Sequence, residues 1–265
     1  METEFRYKYE VHMHTSQGSA CGRTQGHEYV EAFLEAGYDG IIITDHFLRG
    51  NTAIDRSLPW EDFVEGFCKG FEDAKEAGDK AGLKVFFGWE ECNYGDEYLV
   101  YGLDKAWLKA HPEYRRCTMK EQLRLVHEGG GVVVQAHPFR EANYLRSINL
   151  HPFQCDAMEG YNYANRDYCN AFGYKYCTDR DIIMTSGSDI HSLSSLAGTR
   201  AGMLFEKPLE SIDDYVKAIK SGKGFMPLIP DEFRTVAPDM RNNVPIFLFD
   251  EDEKFKEVGL KDLGI

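Results

Sequence analysis

Five short segments of the sequence end an apolar run with residue types that bind metal ions. The candidate ligands in these segments are His12, His14, His46, Glu90, His137, Asp189 and His191. Imidazole and carboxylate groups together suit Zn, Mn or Fe, and a carboxylate can bridge two ions. The sequence therefore predicts a site for more than one metal ion.

The segments before these residues are typical of strands that would bring the ligands together. Residues 41–43, 85–87, 132–134 and 182–184 are continuous apolar runs, as in strands buried on both faces. Side chains at the carboxyl ends of parallel strands converge on one rim of a barrel. His12 and His14 are two residues apart and share one face of their strand, which favours a joint role as ligands.

Segments with helical spacing alternate with the predicted strands. They cover residues 27–36, 60–81, 118–128 and 209–221. Further strands at 156–159 and 202–205 bring the count to about seven βα units, and residues 95–103 suggest an additional hairpin strand. This order predicts an α/β barrel, and the first strand is not followed by the GxGxxG of a dinucleotide-binding sheet.

The length of 265 residues and the 43% hydrophobic content suit one large domain. We predict a barrel domain at residues 1–228 and a C-terminal extension at 229–265 packed on the same domain. Prolines interrupt the extension, which contains an apolar strand candidate at 246–249 and then an acidic run.

Charge and composition exclude several kinds of partner. The net charge is −14, with 44 acidic and 30 basic residues and no long block of Lys or Arg, so a nucleic acid partner is not expected. Residues 1–9 contain no apolar signal core, and no segment approaches the roughly 20 apolar residues of a membrane helix. We expect a cytoplasmic protein without membrane contact, whose seven scattered cysteines are reduced.

The motifs His-x-His-Thr, Thr-Asp-His, Gly-x-Glu, His-Pro and Gly-Ser-Asp-x-His occur in this order from about Val11 to Leu204. In this the chain resembles the PHP (polymerase and histidinol phosphatase) family. The resemblance implies a distorted (β/α)7 TIM-like barrel that binds up to three metal ions at the carboxyl ends of its strands and hydrolyses phosphate esters. By the same resemblance, the first ion would be held by His12, His14, Glu90 and Asp189, the second by Glu90 and His137, and the third by His46 and His191.

The chain departs from the family pattern at two ligand positions. Family members usually have an Asp or His shortly after His-x-His, where this chain reads Gln17 to Cys21. They often supply a His from the hairpin after the glutamate, where this chain reads Glu97-Tyr98-Leu99-Val100. Cys21, Glu97 or water are the candidates to complete the sites. The expected cofactors are two or three divalent ions of Zn, Mn or Fe.

The expected chemistry follows from the charge of a phosphate ester. Clustered divalent ions neutralise phosphate oxygens and lower the pKa of a bound water from about 16 to about 7. Our hypothesis is direct hydrolysis by a metal-bound hydroxide, with Asp189 and His191 as catalytic residues. Asp189 or Asp45 could also orient the histidines or relay a proton. A covalent route through Ser188 is the alternative, and it predicts a phosphoenzyme that can be trapped.

Three arginines follow predicted strand ends and are candidates to bind substrate. A guanidinium at Arg140, Arg23 or Arg166 could bind two phosphate oxygens in a fork, although each could equally be an exposed arginine. The aromatic residues between 161 and 176 favour a helix packed on the barrel over a pocket for the leaving group. His111, His127 and His151 are interpreted as surface residues.

Three functions remain open at this point. The favoured one is a phosphatase for a small phosphorylated metabolite, with a histidinol phosphatase as one identity. A phosphodiesterase or exonuclease is the second, and it would need a basic groove. The third is a catalytically inactive barrel that keeps metal for stability or for binding a partner.

Overall fold

The computed structural model describes residues 4–265 and contains two β-sheets flanked by helices. The strands are β1 (Tyr7–Glu10), β2 (Gly40–Ile43), β3 (Lys84–Asn93), β4 (Asp96–Tyr101), β5 (Val132–Gln135), β6 (Ile148–Leu150), β7 (Ala157–Asn162), β8 (Met184–Gly187), β9 (Met203–Phe205), β10 (Phe225–Pro227), β11 (Ile246–Phe249) and β12 (Phe255–Val258). The α-helices are α1 (Gly26–Glu35), α2 (Trp60–Phe67), α3 (Lys69–Ala81), α4 (Lys105–Ala110), α5 (Met119–Glu128), α6 (Asp167–Asp179) and α7 (Ile212–Ser221).

The larger sheet has nine strands in the order β10-β9-β1-β2-β3-β4-β5-β7-β8 and curves into a nearly closed barrel. Strands β1, β2 and β3 are parallel, as are β5, β7 and β8. Strand β4 lies antiparallel between β3 and β5, which confirms the predicted hairpin strand. Strand β9 is antiparallel to β1, so the last part of the barrel departs from a regular βα repeat. The predicted α/β barrel is confirmed.

Several predicted element boundaries are wrong. Residues 60–81 form two helices, and Cys68 both ends α2 and begins α3. The predicted strand at 182–184 begins only at Met184 and continues to Gly187. The predicted strand at 156–159 extends to Asn162.

The core follows from the apolar runs that predicted the strands. Every residue of β2 and of β5 is buried, as expected for strands covered on both faces. Helices α1 and α3 cover β2 and β3, with Phe33 and Ala74 packed against Ile41 and Val85. Because these strands are closely packed on both faces, their ends have defined positions. The side chains that follow each strand are positioned in the same way.

The chain after the barrel forms a second sheet of three strands. The predicted strand at 246–249 is confirmed as β11, which pairs in parallel with β6 and antiparallel with β12. Ile246 and Leu263 are fully buried in one cluster with Phe139 and Phe172. The domain boundary at residue 228 remains a prediction. Within residues 4–265, no helix has the length and apolar character needed to cross a membrane.

Candidate metal centre

The chain segments that follow β1, β2 and β8 lie beside Glu90 of β3 on one rim of the barrel. Backbone hydrogen bonds continue beyond the strands, from Asp189 N to the His12 carbonyl at 2.8 Å and from Glu90 N to the Asp45 carbonyl at 3.0 Å. His46 and Glu90 form a parallel β-bridge at the same level. The candidate ligands, which are far apart in the sequence, are thereby held in one buried cluster.

Glu90 is at the centre of this cluster and is only 1% exposed. Its Oε1 lies 3.3 Å from both His12 Nε2 and His137 Nε2. Its Oε2 lies 2.7 Å from His46 Nδ1 and 3.5 Å from His14 Nε2. A carboxylate with imidazoles on both oxygens has the arrangement that would let it bridge two ions.

Asp189 is the second buried carboxylate of the cluster. Its Oδ1 lies 3.1 Å from His14 Nε2 and 3.5 Å from His12 Nε2. Its Oδ2 accepts a hydrogen bond of 2.5 Å from Arg140 Nη2. His12, His14, Glu90 and Asp189 therefore meet as the resemblance to the PHP family implies for the first ion.

A third group of possible ligands lies on the open side of the cluster. One ring nitrogen each of His14, His46 and His191 lie within 4.8 Å of one another. Cys21 lies in the loop beside this group, where the Arg23 backbone N–H donates to the His191 carbonyl at 2.8 Å, but its sulfur lies outside the groups of ligand atoms close enough to share an ion. Burial alone would raise the pKa of the Cys21 thiol, but the neighbouring His191 and His46 lower it to about 6.

Glu97 occupies the hairpin position where the family pattern often has histidine. Its Oε2 lies 3.3 Å from His137 Nε2, and its Oε1 lies 4.0 Å from His46 Nδ1. His46, Glu90 and Glu97 also have ligand atoms close enough to share an ion. Of the two side chains named for the missing ligands, Glu97 therefore has the geometry of a ligand, whereas the Cys21 sulfur lies outside these groups of atoms.

The cluster contains buried polar atoms that make no hydrogen bond within residues 4–265. They are His12 Nε2, His14 Nε2, His46 Nδ1 and Glu90 Oε2. His46 Nδ1 and Glu90 Oε2 are close, yet their geometry is not that of a hydrogen bond. A buried polar atom without a partner costs about 1–3 kcal/mol, so four of them in one cluster need an explanation. Divalent cations bound by these atoms, one among His12, His14 and Glu90 and another beside His46 and Glu90, would satisfy all four, and this donor set fits Zn, Mn or Fe.

Neighbouring groups fix which nitrogen of two histidines faces the centre. His12 Nδ1 donates to Glu159 Oε1 at 2.9 Å, so its Nε2 faces Glu90. His14 Nδ1 lies 3.1 Å from Ser19 Oγ, and the Ser19 hydroxyl donates to Asp45 at 2.7 Å. Such outer carboxylates orient metal-binding imidazoles and make them better ligands.

Both central carboxylates are ionised. Burial tends to raise the pKa of Glu90, but His46 and His12 outweigh burial and hold it well below its usual value. Burial acts on Asp189 in the same direction, and Arg140 together with His12 holds the pKa of Asp189 well below its usual value. Metal ions require deprotonated carboxylates, so both groups are ready to bind a cation.

The buried carboxylates of the cluster create an electrostatic field that favours positive charge. Burial alone would lower the pKa of His46, but Glu90 raises it to about 11. His12 behaves in the same way, with burial lowering its pKa and Glu159 contributing most to raising it well above the usual value. In contrast, burial and the neighbouring His46 keep the pKa of His14 well below its usual value, so His14 is neutral. A field that retains protons also attracts divalent ions, which compete for the same lone pairs.

Two ligands have unusual backbone conformations. His137 has φ 29° and Asp189 has φ 55°, in the left-handed region that costs residues other than glycine about 1–3 kcal/mol. Glu159 Oε2 accepts from His137 N at 3.0 Å, and Glu10 Oε1 accepts from Ser188 N at 3.0 Å. These two buried glutamates hold the strained segments in place.

Sequence reasoning missed the roles of Glu10 and Glu159. Each is fully buried within a barrel strand, Glu10 as the last residue of β1 and Glu159 in the middle of β7. Since a buried carboxylate must have partners, a charged residue inside such a strand is the signal that could have identified both.

The three candidate arginines differ in their environments. Arg140 lies at the cluster, where it contacts Asp189, donates from Nε to Asn165 at 2.8 Å and donates from Nη2 to Asn162 at 3.1 Å. Arg23 is exposed and contacts the cluster through its backbone, whose N–H donates to the His191 carbonyl. Arg166 is also exposed, and its side chain donates to the Tyr168 hydroxyl.

Other sequence predictions have mixed outcomes. His151 is not a surface residue: it is 2% exposed, lies 3.2 Å from Asp96 and stacks on Phe249, because the C-terminal extension covers it. Glu91 contacts Arg49 and Gln122 on the opposite side of β3 from Glu90, as expected for consecutive residues of a strand. The favoured interpretation of the aromatic run is confirmed, since α6 packs on the barrel through Phe172 and Tyr176. All seven cysteines are free.

Solved structures provide the comparison for this arrangement. A two-domain protein from Bacteroides vulgatus that contains a predicted PHP-like metal-dependent phosphoesterase has a TM-score of 0.60 and 16% identity, over 83% of this chain and 64% of that one. The chain has a PHP-like fold. A protein from Bifidobacterium adolescentis assigned as a metal-dependent phosphoesterase has a TM-score of 0.52 and 16% identity, over 81% of this chain and 96% of that one.

The PHP-like fold is also similar to that of a nuclease. The lesion-specific endonuclease EndoQ of Pyrococcus furiosus has a TM-score of 0.50 and 13% identity, over 84% of this chain and 58% of that one. No protein-family model matches the sequence, and no curated sequence is significantly similar to it. This chain spans less than two thirds of the Bacteroides and Pyrococcus proteins. At identities of 13–16%, the similarity to the solved structures shows the fold alone.

Proposed function

We propose that the protein is a metal-dependent phosphoesterase whose substrate is a small phosphorylated metabolite. The proposal depends on four buried ligand atoms without a hydrogen-bond partner, three imidazole nitrogens and one oxygen of Glu90, which lie together at the rim of the barrel. The similarity in fold to phosphoesterases supports the same reaction class. The formal net charge of −14 favours a small substrate over a polyanionic nucleic acid.

The ligand groups give the proposed site its chemistry. Bound divalent ions would neutralise phosphate oxygens and lower the pKa of a coordinated water. Glu90 and Asp189 supply the negative charge that holds cations, while Glu159 and Asp45 orient the imidazoles of His12 and His14. His191 is 30% exposed, more than the other candidate histidines, so its side chain is the one that a substrate would meet.

Arg140 is the proposed phosphate-binding residue. Its Nε and Nη2 are held by Asn165, Asn162 and Asp189, so the guanidinium has a fixed orientation at the edge of the cluster. Nη1 makes no hydrogen bond within residues 4–265 and is available to a phosphate oxygen. A preoriented guanidinium loses little conformational entropy when it binds an oxyanion.

The first test compares Asp189→Asn with the unmodified protein after reconstitution with Zn²⁺ or Mn²⁺. Phosphomonoester and phosphodiester panels are assayed for release of phosphate or alcohol, and bound metal is measured by elemental analysis. We expect the unmodified protein to hydrolyse monoesters, and the variant to lose at least about 100-fold in kcat/KM because it lacks a ligand charge.

The control for this test is Asp213→Asn, an exposed aspartate in the first turn of α7. It should retain full activity and metal content. A protein that binds metal tightly but hydrolyses no ester would support the inactive-barrel alternative. Activity restricted to diesters, with strong salt dependence on DNA, would support the nuclease alternative.

The second test concerns Arg140. We expect Arg140→Lys to raise KM for a phosphomonoester by about tenfold or more, since lysine keeps the charge but loses the planar fork. Arg23→Lys and Arg166→Lys are the matched controls, because both side chains are exposed and neither contacts the cluster in the structure. Equal KM increases for all three variants would contradict the special role of Arg140.

A further inference from the structure

A small cavity lies beside the metal cluster, between the hairpin of β3 and β4 and the loop that joins β5 to β6. Glu97, His137 and Arg140 line the side that the cavity shares with the cluster. Its other side chains come from outside the cluster and include Asp96, Gln135, Leu145, Ser147 and Asn149. The free space of about 20 Å³ accommodates one group the size of a water molecule.

The wall of the cavity away from the cluster is held by hydrogen bonds between its own side chains. Asn149 Nδ2 donates to Asp96 Oδ1 at 2.9 Å, and the Ser147 hydroxyl donates to Asn149 Oδ1 at 3.1 Å. Gln135 Nε2 donates to the Asn149 carbonyl at 2.6 Å. These contacts orient the wall before any ligand binds, so little conformational entropy is lost on binding.

The C-terminal extension supports this wall from behind. Strand β11 pairs in parallel with β6, so that Phe247 lies opposite Asn149. Phe249 stacks on the buried ring of His151, whose Nε2 lies 3.2 Å from Asp96 Oδ2. The extension therefore helps to shape the cavity, whereas the candidate metal ligands belong to the barrel.

The side chains of the cavity favour a ligand group that donates hydrogen bonds. Asp96 and Glu97 line it with carboxylate oxygens, which can only accept hydrogen bonds. Ser147 donates its only proton to Asn149, so its oxygen remains available as an acceptor. A methyl group in this space would displace water and leave the acceptors without a partner, which costs free energy.

We propose that this cavity receives the leaving alcohol of the phosphate ester and selects alcohols that carry a hydroxyl or ammonium group. The proposal rests on the proposed phosphoesterase function. A phosphate bound at the cluster and at Arg140 would have its ester substituent beside Glu97 and His137, which also line the cavity. Because the space accommodates one small group, it would recognise a single hydrogen-bond donor and exclude a ring.

The first experiment compares three esters of equal length on the full-length protein loaded with Zn²⁺ or Mn²⁺. Propyl, 2-hydroxyethyl and 2-aminoethyl phosphate differ only in a terminal methyl, hydroxyl or ammonium group. We expect kcat/KM for at least one of the two donor esters to exceed that for propyl phosphate by at least about tenfold. The better donor ester identifies the alcohol as a polyol or an amino alcohol. Equal values for all three esters would overturn the proposal and leave the proposed function intact.

Two variants test whether the cavity is the source of this preference. Asp96→Asn removes a carboxylate at nearly constant shape, and Ser147→Val fills the space with methyl groups. Each should reduce the preference for the donor ester over propyl phosphate by at least about tenfold. Both esters are measured on the same protein, so the ratio does not depend on the fraction that folds. Asp213→Asn on exposed α7 is the control and should keep the preference. A preference retained in both cavity variants would contradict the assignment.

Binding of phosphonates provides a readout without turnover. Calorimetry on the metal-loaded protein compares 3-hydroxypropylphosphonate and 3-aminopropylphosphonate with butylphosphonate, in which a carbon replaces the ester oxygen. At least one donor phosphonate should bind at least about tenfold more tightly than butylphosphonate. If the protein hydrolyses none of the esters, the proposed function fails, and the phosphonates still decide the role of the cavity. Equal affinities for the three phosphonates would overturn it.

Discussion

At the residue scale, Glu159 supports two candidate ligands without being one of them. One carboxylate oxygen accepts from His12 Nδ1 and the other from His137 N, so a single side chain orients two ligands. We predict that Glu159→Gln lowers metal affinity by about 10–100-fold, as outer carboxylates do in other metal sites. Competition with a chromophoric chelator measures this change.

The matched control for Glu159 is Glu91→Gln. Glu91 is also buried and follows Glu90 directly, but it contacts Arg49 N at 3.0 Å and Gln122 on the opposite face of β3. Its replacement should leave metal affinity unchanged, whatever its effect on the free energy of unfolding. If both variants lose affinity equally, Glu159 acts through general stability and does not position the ligands.

At the element scale, the cluster depends on how closely α3 approaches the loop after β1. A Cβ added at Gly70 would overlap Thr15 Oγ1 and lie 2.9 Å from Asp45 Oδ2. Thr15 and Asp45 are joined by two hydrogen bonds of 2.6 Å, and Asp45 also binds the Ser19 hydroxyl beside His14. The glycine thus lets a helix support a loop that carries a ligand.

We predict that Gly70→Ala lowers the free energy of unfolding by about 1–3 kcal/mol, because overpacking outweighs the better helix propensity of alanine. Its metal affinity should fall as well, since the shift reaches Asp45. Urea denaturation and metal titration measure the two effects.

Gly66→Ala serves as the comparison, since its Cβ would meet only the flexible Ile54 side chain at 3.3 Å. We expect that variant to keep both its stability and its metal affinity. A Gly70→Ala protein as stable as the unmodified one would show that the helix can move away at little cost.

At the scale of the whole molecule, bound metal would connect parts of the chain from residue 12 to residue 191. Zn²⁺ at about 100 times its Kd should raise the free energy of unfolding by about 2.7 kcal/mol. For a chain of this size that corresponds to a rise in Tm of about 5 °C or more, which chelation with EDTA should reverse. Differential scanning calorimetry checks the shift.

Asp189→Asn provides the negative control in the same scans, because the loss of a ligand charge should reduce the Zn²⁺-dependent rise in Tm. Equal Tm values for the unmodified protein with Zn²⁺ and with EDTA would argue against a metal that binds the folded state.

The α/β barrel and the seven candidate ligands could be predicted from the sequence. Four short apolar runs and one alternating segment indicate strands, and ligand residue types occur within about five residues after each of them. Element boundaries were less certain, as residues 60–81 show, because helical spacing does not reveal where a helix changes direction.

The other side chains near the cluster could be identified only from contacts between distant parts of the chain. The register of the β3 and β4 hairpin brings Glu97 beside His137, and a backbone hydrogen bond from Arg23 holds the loop of Cys21 beside His191. The choice of Arg140 over the other two arginines, and the roles of the buried glutamates, likewise depend on contacts between residues far apart in the chain. Such contacts follow from packing in three dimensions, which local spacing does not encode.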